Sequence, residues 1–301
     1  MRDGQMTPVM ESTTVGALVG ELAQLLAGTR VTEPAREARD IIAALRDAPR
    51  FWPTVNAHAV VSAEERRAAR DAASRRAAGA PFAYAVGTAA FRRLTLSVDE
   101  RVLIPRPETE LIIDLALALT DGLPGGTAID IGTGSGAIAL ALATEGSFER
   151  VLAGDISSDA IAVATANAQR LSPDDRARLE FRVGSLFAPF TGERARLVVS
   201  NPPYIADSEA AELPDVVRSW EPAVALFSGP DGMTAIRRII RDARDVLEPG
   251  GWLLLEVDSR RASWVMEAFS LYDSYADIGV RLDLAGRERF VFARLRETGK
   301  Q

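Results

Sequence analysis

Hydrophobic residues recur in two different patterns along the chain, and the change of pattern divides it into two parts. In residues 14–84 the apolar positions have helical spacing, with Thr32 and Ser62 as predicted N-caps and Ser62 with Glu65 as a predicted capping box. The predicted helical stretches are 15–27, 32–47 and 62–76. This part has no glycine-rich loop and no carboxylate cluster. It therefore predicts a small helical domain that binds a substrate or partner.

The second part begins with alternating apolar positions and continues as strands separated by helices. The alternation around Leu94 predicts a β-hairpin at 85–105 that links two domains. From residue 106 to 301, strands spaced by helices indicate a doubly wound parallel sheet, and a short glycine turn at Gly286 predicts a final antiparallel hairpin. The predicted strands are 127–131, 151–155, 179–183, 197–200, 252–257, 275–282 and 288–295, and the predicted helices are 137–145, 158–171, 233–247 and 261–270.

The chain carries no predicted membrane segment. Residues 1–13 lack the apolar run of a signal peptide, and we expect a disordered tail there. No apolar run approaches the roughly 20 residues that a transmembrane helix needs. These patterns favour a cytoplasmic protein that does not contact a membrane.

Composition excludes several classes of chemistry. The chain of 301 residues has no cysteine, which excludes thiol nucleophiles and disulfides. With His58 as its single histidine it also lacks the ligands of a Cys/His metal site, and we expect no metal. The first 100 residues carry 13 basic and 12 acidic side chains, so the net charge of −7 comes from the larger part. Such a charge disfavours stable binding to nucleic acid.

A glycine-rich turn after the first strand of the predicted sheet is a candidate cofactor site. Glycines let the backbone approach a ligand whose polar end meets the free N–H groups of the following helix. Taken alone, the turn also fits a relaxed dinucleotide-binding fingerprint, or a packing turn without a ligand. The candidate cofactor-binding residues of this turn are Asp130, Gly132, Thr133, Gly134, Ser135 and Gly136.

Two carboxylates distinguish between the possible cofactors. Asp130 precedes the first glycine by two residues, where it would repel a pyrophosphate and attract an ammonium group. Asp155 ends the second strand, where it is placed to accept hydrogen bonds from both ribose hydroxyls. A cofactor with a ribose, a positively charged amino-acid end and no phosphate is S-adenosylmethionine.

A second motif follows the fourth strand. Asn201, Pro202, Pro203 and Tyr204 fall at the carboxyl end of the sheet, where open parallel sheets bind their ligands. An amide or exocyclic amine is a poor nucleophile, and oxygens that accept its two hydrogens would orient its nitrogen. The Asn201 side chain and the Pro202 carbonyl are the candidate acceptors, and Tyr204 offers a flat face to a planar group. A simple Asn-Pro turn is the alternative.

Together these motifs resemble the release factor glutamine N5-methyltransferase family (PrmC/HemK) over nearly the whole chain. The matching segments are 81–84, 86–87, 98–110, 130–136, 201–204, 221–222, 225–226 and Gly232. The segment 104–110, Ile-Pro-Arg-Pro-Glu-Thr-Glu, makes the match specific, because Asn-Pro-Pro-Tyr alone also occurs in adenine-N6 and other amino-group methyltransferases. The resemblance implies a seven-stranded class I S-adenosylmethionine-dependent methyltransferase domain, Rossmann-like, beside the helical domain.

The sequence departs from the family pattern at two places. Where the family usually has an acid that reaches the adenine, the chain has Ser185 followed by Leu186, so we expect apolar or backbone contacts to the adenine. The resemblance adds Ser185, Leu186 and Asn201 to the cofactor-binding residues. After Glu256 the chain continues Val257-Asp258-Ser259-Arg260-Arg261, without the glycine and glutamine that are usual in the family.

The resemblance implies a function in translation termination. It implies transfer of a methyl group from S-adenosylmethionine to the side-chain amide of the glutamine in the Gly-Gly-Gln motif of peptide chain release factors. Asn201, Pro202 and Tyr204 are then the catalytic candidates, and these three with Pro203 bind the substrate. An amino methyltransferase acting on nucleic acid and a non-catalytic S-adenosylmethionine-binding module remain as alternatives.

Overall fold

The chain forms two compact units. The computed structural model describes residues 13–123 and 125–297. The units are Met1–Gly87 and Thr88–Gln301. Apart from Thr13, the predicted tail of residues 1–13 lies outside the described residues.

The first unit is mainly helical. Its elements are β1 (Thr13–Thr14), α1 (Val15–Leu26), α2 (Pro34–Leu45), α3 (Trp52–Val55), β2 (Val60–Val61), α4 (Ala63–Ala77) and α5 (Phe82–Val86). Its core consists of apolar faces of α1, α2 and α4, and includes Leu18, Leu22 and Ile41. The predicted capping box between Ser62 and Glu65 is confirmed. The predicted N-cap Thr32 is wrong, because α2 begins one residue later, after Glu33, without a side-chain cap.

The second unit contains a hairpin, a large sheet and the helices that cover it. Its strands are β3 (Thr88–Phe91), β4 (Leu94–Ser97), β5 (Thr127–Ile131), β6 (Arg150–Asp155), β7 (Leu179–Val183), β8 (Ala195–Ser200), β9 (Leu247–Glu256), β10 (Tyr275–Leu282) and β11 (Glu288–Leu295). Its helices are α6 (Glu110–Leu119), α7 (Ala137–Glu145), α8 (Ser158–Ala168), α9 (Pro173–Ala177), α10 (Asp215–Trp220), α11 (Thr234–Asp242) and α12 (Ala262–Ser270).

The seven-stranded sheet has the order β10-β11-β9-β8-β5-β6-β7. The five strands from β9 to β7 pair in parallel, and β11 and β10 extend the sheet antiparallel. This sheet confirms the predicted fold class. Successive residues of the parallel strands point to opposite faces, so that Ile129 joins a core with α11 and α12 while Ala128 joins a core with α6 and α7.

The hairpin at the start of this unit is shorter than the sequence predicted. The strands β3 and β4 cover only part of the segment 85–105, and Val86 ends α5. Phe91 and Leu96 are buried in the core of the second unit together with α6 and α7, so the hairpin belongs to this unit. Among the described residues, no helix is both long and apolar enough to cross a membrane.

Candidate active site

The carboxyl ends of three neighbouring strands bring the predicted motifs together. In the middle strand, Ile131 pairs with Gly154 of β6 on one side and with Ser200 of β8 on the other. Neighbouring strands are about 4.8 Å apart, so the residues that follow these pairs emerge side by side. They are Gly132, Asp155 and Asn201. The Ser200 hydroxyl donates to the Ile131 carbonyl at 2.7 Å, which fastens the edge from which both motifs leave the sheet.

The glycine-rich turn lies open to the cleft. Gly132 and Gly134 have φ angles of +74° and +55°, in the left-handed region that favours glycine, and an added Cβ at either position would meet no atom within 4 Å. The loop therefore leaves room for a ligand against its backbone. Gly136 has a different role, because an added Cβ there would lie 2.7 Å from Leu140 Cδ1 in the helix that follows.

Asp130 lies beneath this turn and outside the wall of the cleft. It is fully buried, and its Oδ2 accepts a hydrogen bond from the Thr133 hydroxyl at 2.7 Å. Its Oδ1 has no hydrogen-bond partner among the described residues. Burial raises the pKa of the Asp130 carboxyl to about 7. The hydrogen bond between Asp130 and Thr133 thus supports the turn. An ammonium group in the cleft would interact with Asp130 by electrostatic attraction, without a direct hydrogen bond.

Asp155 lies in the wall of the cleft, at its predicted position. Its Oδ2 accepts from the backbone N–H of Gly134 at 3.0 Å, and its Oδ1 accepts from Ser157 at 2.9 Å. Each carboxylate oxygen retains a further lone pair for a hydroxyl donor. The next residue, Ile156, is 59% exposed and lines the same cleft, with Ser185 and Leu186 nearby in the lining. The site thus pairs a hydrogen-bond acceptor with an apolar surface suited to a flat base.

Asn167 of α8 fastens the glycine-rich turn to the hairpin. Its side chain is 1% exposed and donates to the carbonyls of Ser135 and Ser97, while its Oδ1 accepts from the Ser97 N–H at 2.7 Å. Ser135 is itself buried. Ser135 therefore supports the turn from behind.

Replacing Asn167 by alanine should lower the free energy of unfolding by about 2 kcal/mol, because the partly buried groups of Ser97 and the buried carbonyl of Ser135 would lose their partners. Denaturant unfolding of the purified variant measures this loss. Asn56, whose half-buried amide donates to the Trp52 carbonyl at 2.9 Å, is the matched control. A loss for Asn167→Ala no larger than that for Asn56→Ala would contradict this role.

The motif Asn201–Tyr204, called the acceptor motif below, lies partly in the cleft. Asn201, Pro202 and Pro203 line it together with the glycine-rich turn. Tyr204 lies outside this lining and packs against the core of the sheet. Burial raises the pKa of the Tyr204 hydroxyl to about 12. Tyr204 is partly exposed and packs on the core of the sheet, and its role as a flat face for a planar acceptor stays a prediction.

The segment 104–110 is hydrogen-bonded to the loop that contains Glu221 and Pro222 and lines one wall of the cleft. Arg106 Nη2 lies 2.6 and 2.7 Å from the two carboxylate oxygens of Glu221, which is buried. Pro222 follows, and it lines the cleft. The segment thus helps to hold the loop that forms one wall.

The residues after Glu256, where the sequence differs from the family pattern, also hold this loop in place. Arg261 is 3% exposed, and it donates to the Asp231 carbonyl at 3.1 Å and to Glu209 at 2.5 Å. Gly232, with φ +75°, is packed so closely that an added Cβ would lie 2.2 Å from the Tyr204 carbonyl. Arg261 therefore contributes to the shape of the loop.

The cleft has a volume of about 350 Å³. Its lining includes several residues that the sequence analysis missed: Arg101, Val102, Leu103, Ile156, Phe227 and Thr234. Arg101, Val102 and Leu103 lie in the matching segment 98–110, and Ile156 carried a local signal as an apolar residue directly after the acid that ends a strand. In the part of the chain that the structure describes, no group of histidine or carboxylate side chains is arranged to hold a metal ion.

Two family models match the chain. The Methyltransferase small domain matches residues 111–218, which include the glycine-rich turn and Asn201. The PrmC N-terminal domain matches residues 17–87, the helical unit.

Curated proteins match over most of their length. The chain is 38% identical to a release factor glutamine methyltransferase of Rhodopirellula baltica, over 86% of the chain and 88% of that protein. It is 37% identical to the protein of the same name in Moorella thermoacetica, over 94% of the chain and 99% of that protein.

A solved structure resembles the fold at low sequence identity. The catalytic domain of hMettl16, in complex with MAT2A 3′UTR hairpin 6, has a TM-score of 0.55 and 15% identity, and the match covers 81% of the chain and 86% of that domain.

Proposed function

The chain belongs to the release factor glutamine methyltransferase family, and we propose that it transfers a methyl group from S-adenosylmethionine to the side-chain amide nitrogen of the Gly-Gly-Gln glutamine of a peptide chain release factor. The observation that carries this proposal is the juxtaposition of Asn201 with the glycine-rich turn and Asp155 at one edge of the sheet. Such an activity modifies the translation termination machinery. We also infer that the protein works in the cytoplasm, where release factors act, and binds no nucleic acid stably.

The residues of the cleft fit S-adenosylmethionine. The open backbone at Gly132 and Gly134 suits the amino-acid end, and the ammonium group of that end would favour the ionised form of the fully buried Asp130 carboxyl. Asp155 is the acceptor for the ribose hydroxyls, and Ile156 with Leu186 would contact the adenine. When bound, S-adenosylmethionine supplies an electrophilic methyl group on a positively charged sulfur.

The acceptor motif addresses the poor nucleophilicity of an amide. The Asn201 Oδ1 atom and the Pro202 carbonyl would accept the two hydrogens of the glutamine side-chain amide and hold its nitrogen toward the cofactor end of the cleft. Fixed acceptors favour the charge distribution in which the lone pair stays on nitrogen. No general base is needed, because the nitrogen becomes strongly acidic once it is methylated and then loses a proton to water. The two prolines stiffen this motif and offer no N–H donor of their own.

The proposal is tested by incubating the whole protein with S-adenosylmethionine labelled on its methyl group and either a release factor or double-stranded DNA. We expect label in the release factor alone. Label in the DNA with an unmodified factor would replace the proposal by a nucleic-acid amino methyltransferase. Cofactor binding without transfer to either acceptor would favour a non-catalytic binding module.

We further propose that the helical unit binds the release factor. Deleting residues 1–87 removes this unit, whose hydrophobic core is built from its own residues, and leaves the core of the sheet intact. We expect the affinity for S-adenosylmethionine to change little, while methylation of the intact factor falls by about tenfold, because one of two linked contacts is lost.

Calorimetry and peptide mass spectrometry measure these two effects, with a short Gly-Gly-Gln peptide as the matched acceptor. The truncated protein should retain its rate on the peptide, since the peptide is too short to reach a second contact. Equal methylation of the intact factor by both proteins would refute the second contact.

A further inference from the structure

Two buried polar side chains, which are not part of the cleft lining, lie next to Asn201 and next to each other. Asn201 Nδ2 donates to Thr109 Oγ1 at 3.3 Å. Thr109 is 4% exposed and Glu256 is 2% exposed, and hydrogen bonding by Thr109 opposes the rise in the pKa of the Glu256 carboxyl. The second carboxylate oxygen of Glu256, Oε2, is buried and has no hydrogen-bond partner among the described residues. The mechanism above leaves both Thr109 and Glu256 without a role.

The number of hydrogens on each group determines which group donates each hydrogen bond and which accepts it. An ionised carboxylate only accepts hydrogen bonds, and a threonine hydroxyl has a single hydrogen. Thr109 therefore donates its hydrogen to Glu256 and can only accept from Asn201. The atom that Asn201 turns toward Thr109 must then be Nδ2, which carries hydrogens, and its carbonyl oxygen Oδ1 is left for the cleft.

We propose that Thr109 and Glu256 are positioning residues, which orient the Asn201 amide so that Oδ1 faces the hydrogens of the acceptor amide. This inference rests on the proposed function. The inverted amide would place the Nδ2 hydrogens of Asn201 against the hydrogens of the acceptor, and two donors facing each other form no hydrogen bond. The contacts with Thr109 and Glu256 thus determine whether Asn201 presents an acceptor or a donor to the acceptor amide.

The charge of Glu256 depends on groups from several elements. Arg289 of β11 and Arg106 of the segment before α6 favour its ionised form, while Glu108 of the same segment opposes it. Tyr204, after β8, also lies within its electrostatic reach. Burial outweighs the arginines and raises the pKa of Glu256 to about 7.

Protonation of Glu256 would reverse these hydrogen bonds. A protonated carboxyl group can donate to Thr109, whose own hydrogen is then free to turn to Asn201 and bind Oδ1. The amide would present the wrong atom to the substrate. Turnover should therefore fall as the pH is lowered through about 7, the pKa of Glu256.

The test compares three variants of the full-length protein. Thr109→Val removes the hydroxyl at nearly constant volume, and Thr109→Ser retains a hydroxyl. Thr120→Val is the matched control, because Thr120 is a buried threonine at the other end of α6, whose hydroxyl donates to the Ala116 carbonyl at 2.8 Å. Release factor methylation gives kcat and KM, calorimetry gives the Kd for S-adenosylmethionine, and thermal unfolding reports the fold.

We expect Thr109→Val to lower kcat by about tenfold with little change in the Kd for the cofactor. Thr109→Ser should restore most of the turnover, and Thr120→Val should retain it. Wild-type turnover in Thr109→Val, or an equal loss in Thr109→Ser, would overturn the positioning role. No methylation of the factor by the wild-type protein would instead refute the proposed function itself.

A pH profile of kcat separates this role from a purely structural one. The wild-type profile should show a loss on the acidic side of neutrality. Glu256→Gln, which cannot titrate there, should show a smaller loss, because Asp130, whose pKa is also about 7, still titrates. An acidic limb that persists unchanged in Glu256→Gln would overturn the part assigned to Glu256.

Discussion

Asn201→Ala is expected to lower turnover by about 100- to 1000-fold, which corresponds to roughly 2.7–4 kcal/mol in the activation barrier. The affinity for S-adenosylmethionine should change far less. The reason is the position of Asn201, which lines the cleft directly after β8 and, in the proposed mechanism, would offer an oxygen to the acceptor amide. Without that oxygen the nitrogen of the acceptor loses its orientation, while Gly132 and Asp155 still hold the cofactor.

Single-turnover methylation of a release factor and calorimetric titration of the cofactor measure the two effects on one protein sample. Near wild-type turnover in Asn201→Ala would remove Asn201 from the catalytic role. A parallel loss of turnover and of cofactor affinity would mean that Asn201 acts mainly on the cofactor. Thermal unfolding distinguishes both results from a damaged fold.

The second large effect is expected for Asp155→Ala, which should weaken the binding of S-adenosylmethionine by roughly 10- to 100-fold. A hydrogen bond to a charged acceptor contributes about 1.5–3 kcal/mol, and the ribose hydroxyls would lose that acceptor. The carboxylate also accepts from the N–H groups of Gly134 and Ser157, so its loss would loosen the glycine-rich turn as well.

Calorimetry measures the affinity, and Asp159→Ala is the matched control. Asp159 is an exposed acid in the first turn of α8, four residues beyond Asp155, and its removal changes the net charge by the same amount. We expect wild-type affinity in this control. Unchanged affinity in Asp155→Ala would contradict the assignment of the cofactor site.

The sheet could be predicted from the sequence because its central strands are buried on both faces. Such strands appear as short apolar runs, and the predicted bounds of β5 agree with the structure. Helix α6 was missed because eight of the ten residues in 110–119 are apolar, which leaves only Glu110 and Asp114 to indicate a polar face. The hairpin prediction included Val86, whose apolar side chain fits a strand as well as the short helix α5.

Local motifs revealed the candidate site in part. The glycine-rich turn and Asn201 have strong local signatures, and their place at strand ends follows from the parallel sheet. The hydrogen bond between Asn201 and Thr109 joins residues 92 positions apart, which only the folded chain brings together. The packing of Tyr204 against the core of the sheet depends likewise on residues far away in the sequence, and no local pattern reveals it.

Peptide mass spectrometry of a release factor treated with the full-length protein and S-adenosylmethionine tests the central claim most directly. The peptide that contains the Gly-Gly-Gln motif should gain the mass of one methyl group, and fragmentation should place it on the glutamine side chain. A factor in which that glutamine is replaced by alanine is the matched control, and it should gain nothing. Methylation of the alanine variant, or an unmodified glutamine in the natural factor, would contradict the account.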